Sequence, residues 1–288
     1  MISPLVALAR PHQWIKNLFV AAPLFFTPRD MSLAAAAHVL LALACFCAAS
    51  SAVYVLNDWT DRAADRRHPS KRHRPLAAGI VTPAAAAALA AGLALSAILP
   101  ALLFLPSKFL MVLLGYVLLN LAYSFGLKRI AIVDVMVIAV GFVLRIYAGG
   151  AVIAVMPTVW IVACTLLLAL FLALAKRRDD LVRGVDDAHR ASLAGYNQAF
   201  VDTALSVVLA ALLVCYLLYT TQPDNMARLG SDKLFVTAPF VIAGVLRYLQ
   251  ITLVEQRSGS PTRLAVSDRF LMLCILGWLV TFAMLIYA

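Results

Sequence analysis

Charge is scarce in this chain of 288 residues: Asp, Glu, Lys and Arg make up 13% of it, against 64% hydrophobic residues. That shortage excludes a water-soluble globule, because the polar surface would not suffice to cover so large a core. A cysteine framework is lacking too. Cys45, Cys47, Cys164, Cys215 and Cys274 all lie inside apolar runs, with no spacing that suits a metal site or a disulfide set. His68 and His73 belong to no histidine-rich metal box. There is no obvious internal repeat, and no cleavable signal peptide is expected, since Pro4, Arg10, Pro11 and His12 precede the first apolar run. No nucleic-acid module is visible despite a formal charge of +10. Most of the basic residues sit in loops between apolar runs, as cytoplasmic loops facing anionic lipid headgroups would have them.

What the chain has in quantity is long apolar blocks, each near the 20 residues or so that cross a bilayer. They predict an all-α, polytopic membrane helix bundle of about nine spans in one domain, residues 1–288. The spans are placed at 14–28, 33–56, 82–99, 107–124, 130–149, 157–176, 200–220, 234–254 and 268–287. Proline or charge marks most junctions, among them Pro28, Pro83, Pro106, Pro157 and Pro223. Gly141, Gly149 and Gly150 permit close helix contact. Sixteen Lys and Arg fall in or beside the loops 57–81, 125–129, 177–199 and 255–267, whereas the alternate junctions hold Arg29, Lys108, Arg228 and Lys233. The positive-inside rule then puts the N terminus and the basic loops in the cytoplasm and the C terminus outside, in a membrane of the bacterial inner type. Apolar helix faces serve membrane lipids or a second copy equally well, so a homo-oligomer stays open.

One polar stretch interrupts the apolar chain, Asn57 to Gly79, reading NDWTDRAADRRHPSKRHRPLAAG. If the preceding helix continues to Arg66, then Asp58, Asp61 and Asp65 stand at i, i+3 and i+7. They share one face, separated by about 5 and 6 Å of rise. Neighbouring carboxylates repel unless a cation sits between them, and hard ions such as Mg2+ take oxygen ligands. Asn57 can orient a water or a substrate oxygen without adding negative charge. The motif therefore looks like a site for a magnesium-bridged diphosphate, against the bland reading of a solvated charged loop. Downstream, Arg66, Arg67, Lys71, Arg72 and Arg74 form a basic apron. Pro69 and Pro75 favour a folded-back connector that aims Lys71, Arg72 or Arg74 at phosphate.

Other ionisable residues are more ambiguous. Lys16 and Asn17, at the entrance of the first span, suit headgroup snorkelling or the holding of an anionic substrate. Asp134 and Arg145, eleven residues apart, face one direction but lie about 16 Å apart along the axis, too far for a direct pair. Each suits a functional cavity or an ion network in the packing. Lys176, Arg177 and Arg178 close a span where they can meet a phosphorylated donor or lipid phosphate. Asp179 and Asp180, being consecutive, diverge by about 100° and make a weaker metal signal. Asp202 and Arg247 have no motif beside them and are read as structural.

Asn57-Asp58-x-x-Asp61-x-x-x-Asp65, the following HPSKRHRPLAAG, and Tyr123-Ser124-Phe125-Gly126-Leu127-Lys128 with Asp134 resemble the UbiA superfamily of intramembrane transferases. The likeness extends over most of the chain. It implies nine transmembrane helices, a lipid-accessible cavity, a metal-diphosphate site on Asp58, Asp61 and Asp65, and Lys128 and Asp134 lining its far side. The opening RPHQWIKNLFVAAPLFF, the YSFGLK segment and Lys176-Arg177 look like the polyprenyl-phosphate phosphoribosyltransferase branch. The second D-x-x-x-D of typical aromatic prenyltransferases is missing.

By that resemblance the expected reaction joins 5-phosphoribosyl 1-diphosphate to a decaprenyl-like polyprenyl phosphate with Mg2+, in cell-wall biosynthesis. Asp58, Asp61, Lys128 and Asp134 would be catalytic. Lys16, Asn17, Asn57, Lys71, Arg72, Arg74, Tyr123, Arg145, Lys176 and Arg177 would contact substrates. One enzyme alternative is prenyl transfer from a prenyl diphosphate to an aromatic acceptor. A membrane anion transporter or binding protein is the non-enzyme alternative.

Overall fold

The computed structural model describes residues 3–28, 31–67, 71–184 and 191–288; Arg29, His68, Pro69 and Arg190 lie outside them. Among the described residues every regular element is helical. Among the described residues eight helical spans are long and apolar enough to cross a membrane: α1 (Leu33–Thr60), α2 (Pro83–Phe104), α3 (Ser107–Phe125), α4 (Val133–Val152), α5 (Val159–Val182), α6 (Gln198–Thr221), α7 (Ala238–Leu253, which reaches that length together with the turn before it) and α8 (Arg269–Tyr287). A short helical turn, Leu234–Thr237, leads into α7.

The sequence explains where most of them start. Ser32, Thr82, Thr158, Asn197 and Asp268 precede α1, α2, α5, α6 and α8, and each side chain accepts a backbone N–H of the first turn. Such caps satisfy donors that the helix itself leaves open. Eight of the nine expected spans thus correspond to long helices. The first, at 14–28, does not form one continuous α-helix. It folds as a 3-10 helix, Pro11–Val20, followed by one α turn, Ala22–Phe25. Pro23 offers no N–H to continue an α ladder, so the regular hydrogen-bond pattern cannot run through the segment. Ten residues are long for a 3-10 helix, and side-chain bonds hold it: Trp14 Nε1 donates to Ser51 Oγ at 2.9 Å and Asn17 Nδ2 to Ser50 Oγ at 3.1 Å.

The chain divides into two compact units. Unit 1 comprises Met1–Leu24, Asp30–Lys128 and Leu144–Met156, and unit 2 comprises Phe25–Arg29, Arg129–Val143 and Pro157–Ala288. In unit 1 the alanine-rich α2 packs along α1, since small side chains let two backbones approach. Phe46, Phe109, Leu113 and Tyr116 fill that core, with the Phe46 and Tyr116 rings 5.1 Å apart. In unit 2, α5 packs against α6 around Phe171, Leu174, Val201, Leu205 and Ile251. A separate aromatic cluster there joins Phe25, Phe26, Tyr219, Trp278 and Phe282.

Outward faces carry Leu102, Leu103, Phe104, Met111, Leu118, Val207, Leu273 and Met284 in the open. An apolar surface of that extent is stable against lipid and not against water. The chain is a multi-pass integral membrane protein.

Gly149 shows how tightly unit 1 is built. A Cβ added there would lie 1.9 Å from the Val20 carbonyl oxygen, which belongs to backbone and cannot swing away. Gly149→Ala is expected to lower stability by about 1–3 kcal/mol, the usual cost of overpacking. Thermal unfolding in detergent would read this as a lower midpoint.

Candidate active site

The acidic stretch begins where α1 ends. Thr60 is the last residue of α1, Asp61 closes it, and a short helix, Arg62–Arg67, resumes at once. The α spacing survives this joint, because Asp61 N–H bonds Asn57 O at 2.9 Å and Asp65 N–H bonds Asp61 O at 2.8 Å. Asp58 and Asp65 consequently face the same way. One nitrogen, Arg74 Nη1, donates to Asp58 Oδ1 at 3.0 Å and to Asp65 Oδ2 at 2.7 Å. Asp58 Oδ1 also accepts from Arg10 Nη2. Asp61 lies further out, and both its oxygens accept from Lys128 Nζ, at 2.6 and 2.9 Å. The Asp58 and Asp65 side chains are 3% and 5% exposed against 38% for Asp61.

From Lys71 onwards the chain folds back to bring Arg74 there, as Pro75 suggested. A 3-10 turn at Lys71–His73 is followed by bonds from Ala78 N–H to Arg74 O and from Val81 N–H to Pro75 O. Of the basic apron, Arg74 meets the carboxylates, Arg66 Nε donates to Ala77 O, and the exposed Arg72 donates to His73 Nε2. Lys71 is half-buried at the start of the turn. Lys128 arrives by a comparable device: α3 stops at Phe125, Gly126 caps it, and a 3-10 turn Leu127–Arg129 carries the lysine to Asp61. Asn57 and Tyr123 are half-buried, and Asn57 accepts through its carbonyl from Thr60 Oγ1.

Asn17 and Arg145 meet each other inside unit 1. Arg145 Nε donates to Asn17 Oδ1 at 2.8 Å and Nη2 to Tyr116 OH at 3.0 Å, with the guanidinium over the Tyr116 ring at 4.7 Å. Asn17 is buried and spends its amide on Ser50 and Cys47. These bonds fasten the 3-10 segment. Lys16, its half-buried neighbour, belongs to the same segment.

In unit 2, Asp134 is fully buried and richly bonded. It accepts from Arg177 Nε at 2.7 Å, Tyr196 OH at 2.7 Å, Ser192 Oγ at 3.1 Å and Val135 N–H at 2.9 Å. Tyr196 OH in turn accepts the Ile132 N–H at 2.6 Å, which secures a β-branched residue at φ 68°. Burial, and then the Asp134 carboxylate, raise the Tyr196 phenol above its ordinary pKa, so it stays a donor. Arg177 is 1% exposed, with Nη1 on Asp180 and a buried Nη2 that has no hydrogen-bond partner among the described residues. Its neighbour Lys176 is exposed. Asp179 turns instead to Arg183, at 2.8 Å. The structural readings of Asp202 and Arg247 are matched by ion pairs, Asp202 with Arg178 and Arg247 with Asp268 and Glu255.

Among the described residues no three His, Cys, Asp or Glu side chains gather closely enough to hold a metal ion. The donor chemistry still fits a hard divalent cation, because two carboxylate oxygens, from Asp58 and Asp65, already point at one cationic nitrogen. Sequence reasoning missed Arg10, Ser192 and Tyr196. Arg10 had a signal, a cation directly before Pro11 in a short N-terminal segment; Ser192 and Tyr196 had none.

Fold and site together define a multi-pass membrane protein, helical throughout its described residues, that assembles carboxylates and cations at the end of a membrane helix. The chain is a member of the UbiA prenyltransferase family, whose model matches residues 15–275 and so takes in residues of both units. It is 33% identical to a decaprenyl-phosphate phosphoribosyltransferase of Mycolicibacterium smegmatis, over 100% of this chain and 93% of the relative. It is 32% identical to the protein of that name from Mycobacterium tuberculosis, over 98% and 93%. Among solved structures it is similar to a UbiA homolog from Archaeoglobus fulgidus bound to GPP and Mg2+. That match has a TM-score of 0.75 at 20% identity and covers 99% of this chain and 100% of the other. The resemblance read from the motifs therefore stands, and membership of a transferase family sets aside the anion-transporter alternative.

Asp134 yields a stability prediction. Asp134→Ala leaves the Arg177 charge buried without its carboxylate and should cost about 3–5 kcal/mol. Asp134→Asn keeps an acceptor and should cost less, and Arg177→Met added to Asp134→Ala should recover much of the loss. Thermal unfolding of the three variants in detergent is the check.

Proposed function

We propose that this chain transfers the 5-phosphoribosyl group of 5-phosphoribosyl 1-diphosphate to a polyprenyl phosphate, releasing diphosphate. The observation that carries this reading is similarity over nearly the whole chain to relatives named decaprenyl-phosphate phosphoribosyltransferase. The reading treats residues 1–288 as one transferase domain. In the reaction the bond from ribose C1 to the diphosphate oxygen breaks and C1 gains oxocarbenium character. An oxygen of the lipid phosphate attacks C1, forming polyprenyl-phosphoryl-5-phosphoribose. That oxygen is already anionic at neutral pH, so no protein base is needed.

Asp58, Asp61 and Asp65 are the proposed holders of Mg2+, an ion that solved relatives carry. When bound, it would offset the charge that builds on the departing diphosphate. Arg74 and Lys128, held beside these carboxylates, are proposed to bind phosphate oxygens. Asn57, Lys71, Arg72 and Tyr123 are proposed donor contacts around them. Lys176, exposed at the end of α5, and Arg177, through its Nη2, remain proposed donor contacts. Asp134 is proposed as a positioning residue, because its oxygens are already taken by four donors. Asn17 and Arg145 are proposed to hold the N-terminal segment, with Lys16 kept for lipid or substrate phosphate.

A second reading, prenyl transfer to an aromatic acceptor, is favoured by the family's description and by relatives solved with GPP or DMAPP. Radiolabelled donors separate the two. Purified protein in nanodiscs with Mg2+ should convert phosphoribosyl diphosphate and polyprenyl phosphate to a labelled lipid. Prenyl transfer to an aromatic acceptor with no phosphoribosyl transfer would reverse the order of the readings. In the same assay Asp58→Asn and Asp61→Asn should each lose at least about tenfold in turnover while inserting normally. Near-normal turnover would remove that residue from the site.

The reading also places this site at the cytoplasmic face of a bacterial inner membrane. Single cysteines at Ala78 and Ser260, in a background free of native cysteines, should be protected from a membrane-impermeant label in intact cells. Cysteines at Ser107 and Asp232 should react. The reverse pattern would invert the orientation.

A further inference from the structure

We propose that Arg10 is a donor-phosphate contact that competes with the metal for Asp58 and so makes metal and diphosphate binding depend on each other. The inference rests on the proposed function only as far as a diphosphate bound with a divalent ion. Arg10 sits at φ 52° and ψ 57°, between the short helix Pro4–Ala9 and the 3-10 helix that opens at Pro11. A left-handed, non-glycine residue directly before proline is doubly disfavoured. Its surroundings impose it: Leu8 and Ala9 are buried, Ala9 O accepts from Ser51 Oγ at 2.8 Å, and Gln13 N–H bonds Arg10 O at 2.9 Å. Backbone strain of this kind persists where the fold over-determines it.

The strained turn aims the guanidinium at Asp58. Arg10 Nη2 bonds Asp58 Oδ1, the oxygen that Arg74 Nη1 also bonds, while the Tyr54 ring lies 5.3 Å from the Arg10 guanidinium. The Asp58 side chain is 3% exposed and those of Arg10 and Arg74 are 23% and 30%. The carboxylate is enclosed and its cations are reachable.

Charge does the rest. Asp58, Asp61 and Asp65 are matched one for one by Arg10, Arg74 and Lys128. A divalent ion that takes the carboxylates sets these cations free beside it, where they repel it unless an anion arrives. A diphosphate supplies that anion, with phosphate oxygens that suit a guanidinium fork. Coupling of this kind is reciprocal.

The test uses the full-length protein in nanodiscs, Mn2+ alone and inorganic diphosphate at saturating Mg2+ as probes, and calorimetry. Arg10→Gly removes the guanidinium and suits the left-handed backbone, so its unfolding midpoint should not fall below that of the parent. Mn2+ should bind a few-fold more tightly without diphosphate, and diphosphate about tenfold more weakly, as befits a lost hydrogen bond to a charged group. Arg10→Lys, which keeps the charge, should fall between, and serves if the glycine variant does not fold. A structural role would weaken both ligands together. Any result in which the two affinities do not move in opposite directions overturns the proposal. If diphosphate responds as stated while phosphoribosyl diphosphate does not bind, the substrate assignment fails and the role of Arg10 stands.

Discussion

A charge shielded from water has to be met by a partner, and that requirement shapes both units of this chain. Taking an ion out of water costs several kcal/mol, while an exposed ion pair contributes about 0–1 kcal/mol. In unit 2, Arg177 on Asp134 and Arg178 on Asp202 answer the requirement. In unit 1, Arg10 and Arg74 answer it for Asp58. Such pairs do more for arrangement than for net stability. Once Asp134 must be satisfied, Ser192 and Tyr196 are committed to it, and the turn carrying them is set against residues 131 and 132. Gly195 follows from that, since a Cβ there would lie 2.4 Å from that of Ala131.

The two units nonetheless use the same residue types differently. Asp134 is fully buried, and its arginine is 1% exposed. Nothing in that arrangement can exchange without exposing a charge to the core. Asp58 is as deeply set, but the cations on it reach solvent. An enclosed carboxylate with accessible cations can trade partners, which suits a ligand-handling site; an enclosed carboxylate on an enclosed cation keeps the partner it has. Composition cannot separate these cases, and geometry does.

That difference marks how far the sequence could be read. The apolar blocks, with proline or charge between them, placed the long helices, because span length is local; the caps Ser32, Thr82, Thr158, Asn197 and Asp268 are equally local signals and went unread. The first span was misjudged in form, since its apolar composition conceals what Pro11 and Pro23 do to the ladder. Within the site, the i, i+7 relation of Asp58 and Asp65 was legible as helix geometry, and the fold-back that delivers Arg74 was legible from Pro75. The partners of Asp58 and Asp61 from elsewhere were not, because Arg10 and Lys128 lie 48 and 67 residues away in sequence. Arg145 and Asn17, 128 residues apart, were each noticed alone and never as a pair. Tyr196 carries no motif at all; it matters because of where Asp134 is.

The acidic pair at the end of α5 shows why a second metal cluster need not be sought there. Asp179 and Asp180 diverge as consecutive helical residues must, and they meet different arginines within unit 2, Asp179 with Arg183 and Asp180 with Arg177, which also holds Asp134. Asp179 is further enclosed by Gly259, where a Cβ would stand 2.2 Å from Oδ2. Two carboxylates pointing apart, each held by a different guanidinium, present no pair of hard oxygens to one ion. The run Lys176 to Asp180 therefore holds closed ion pairs, whereas the stretch from Asp58 to Asp65 turns two carboxylate oxygens on one centre.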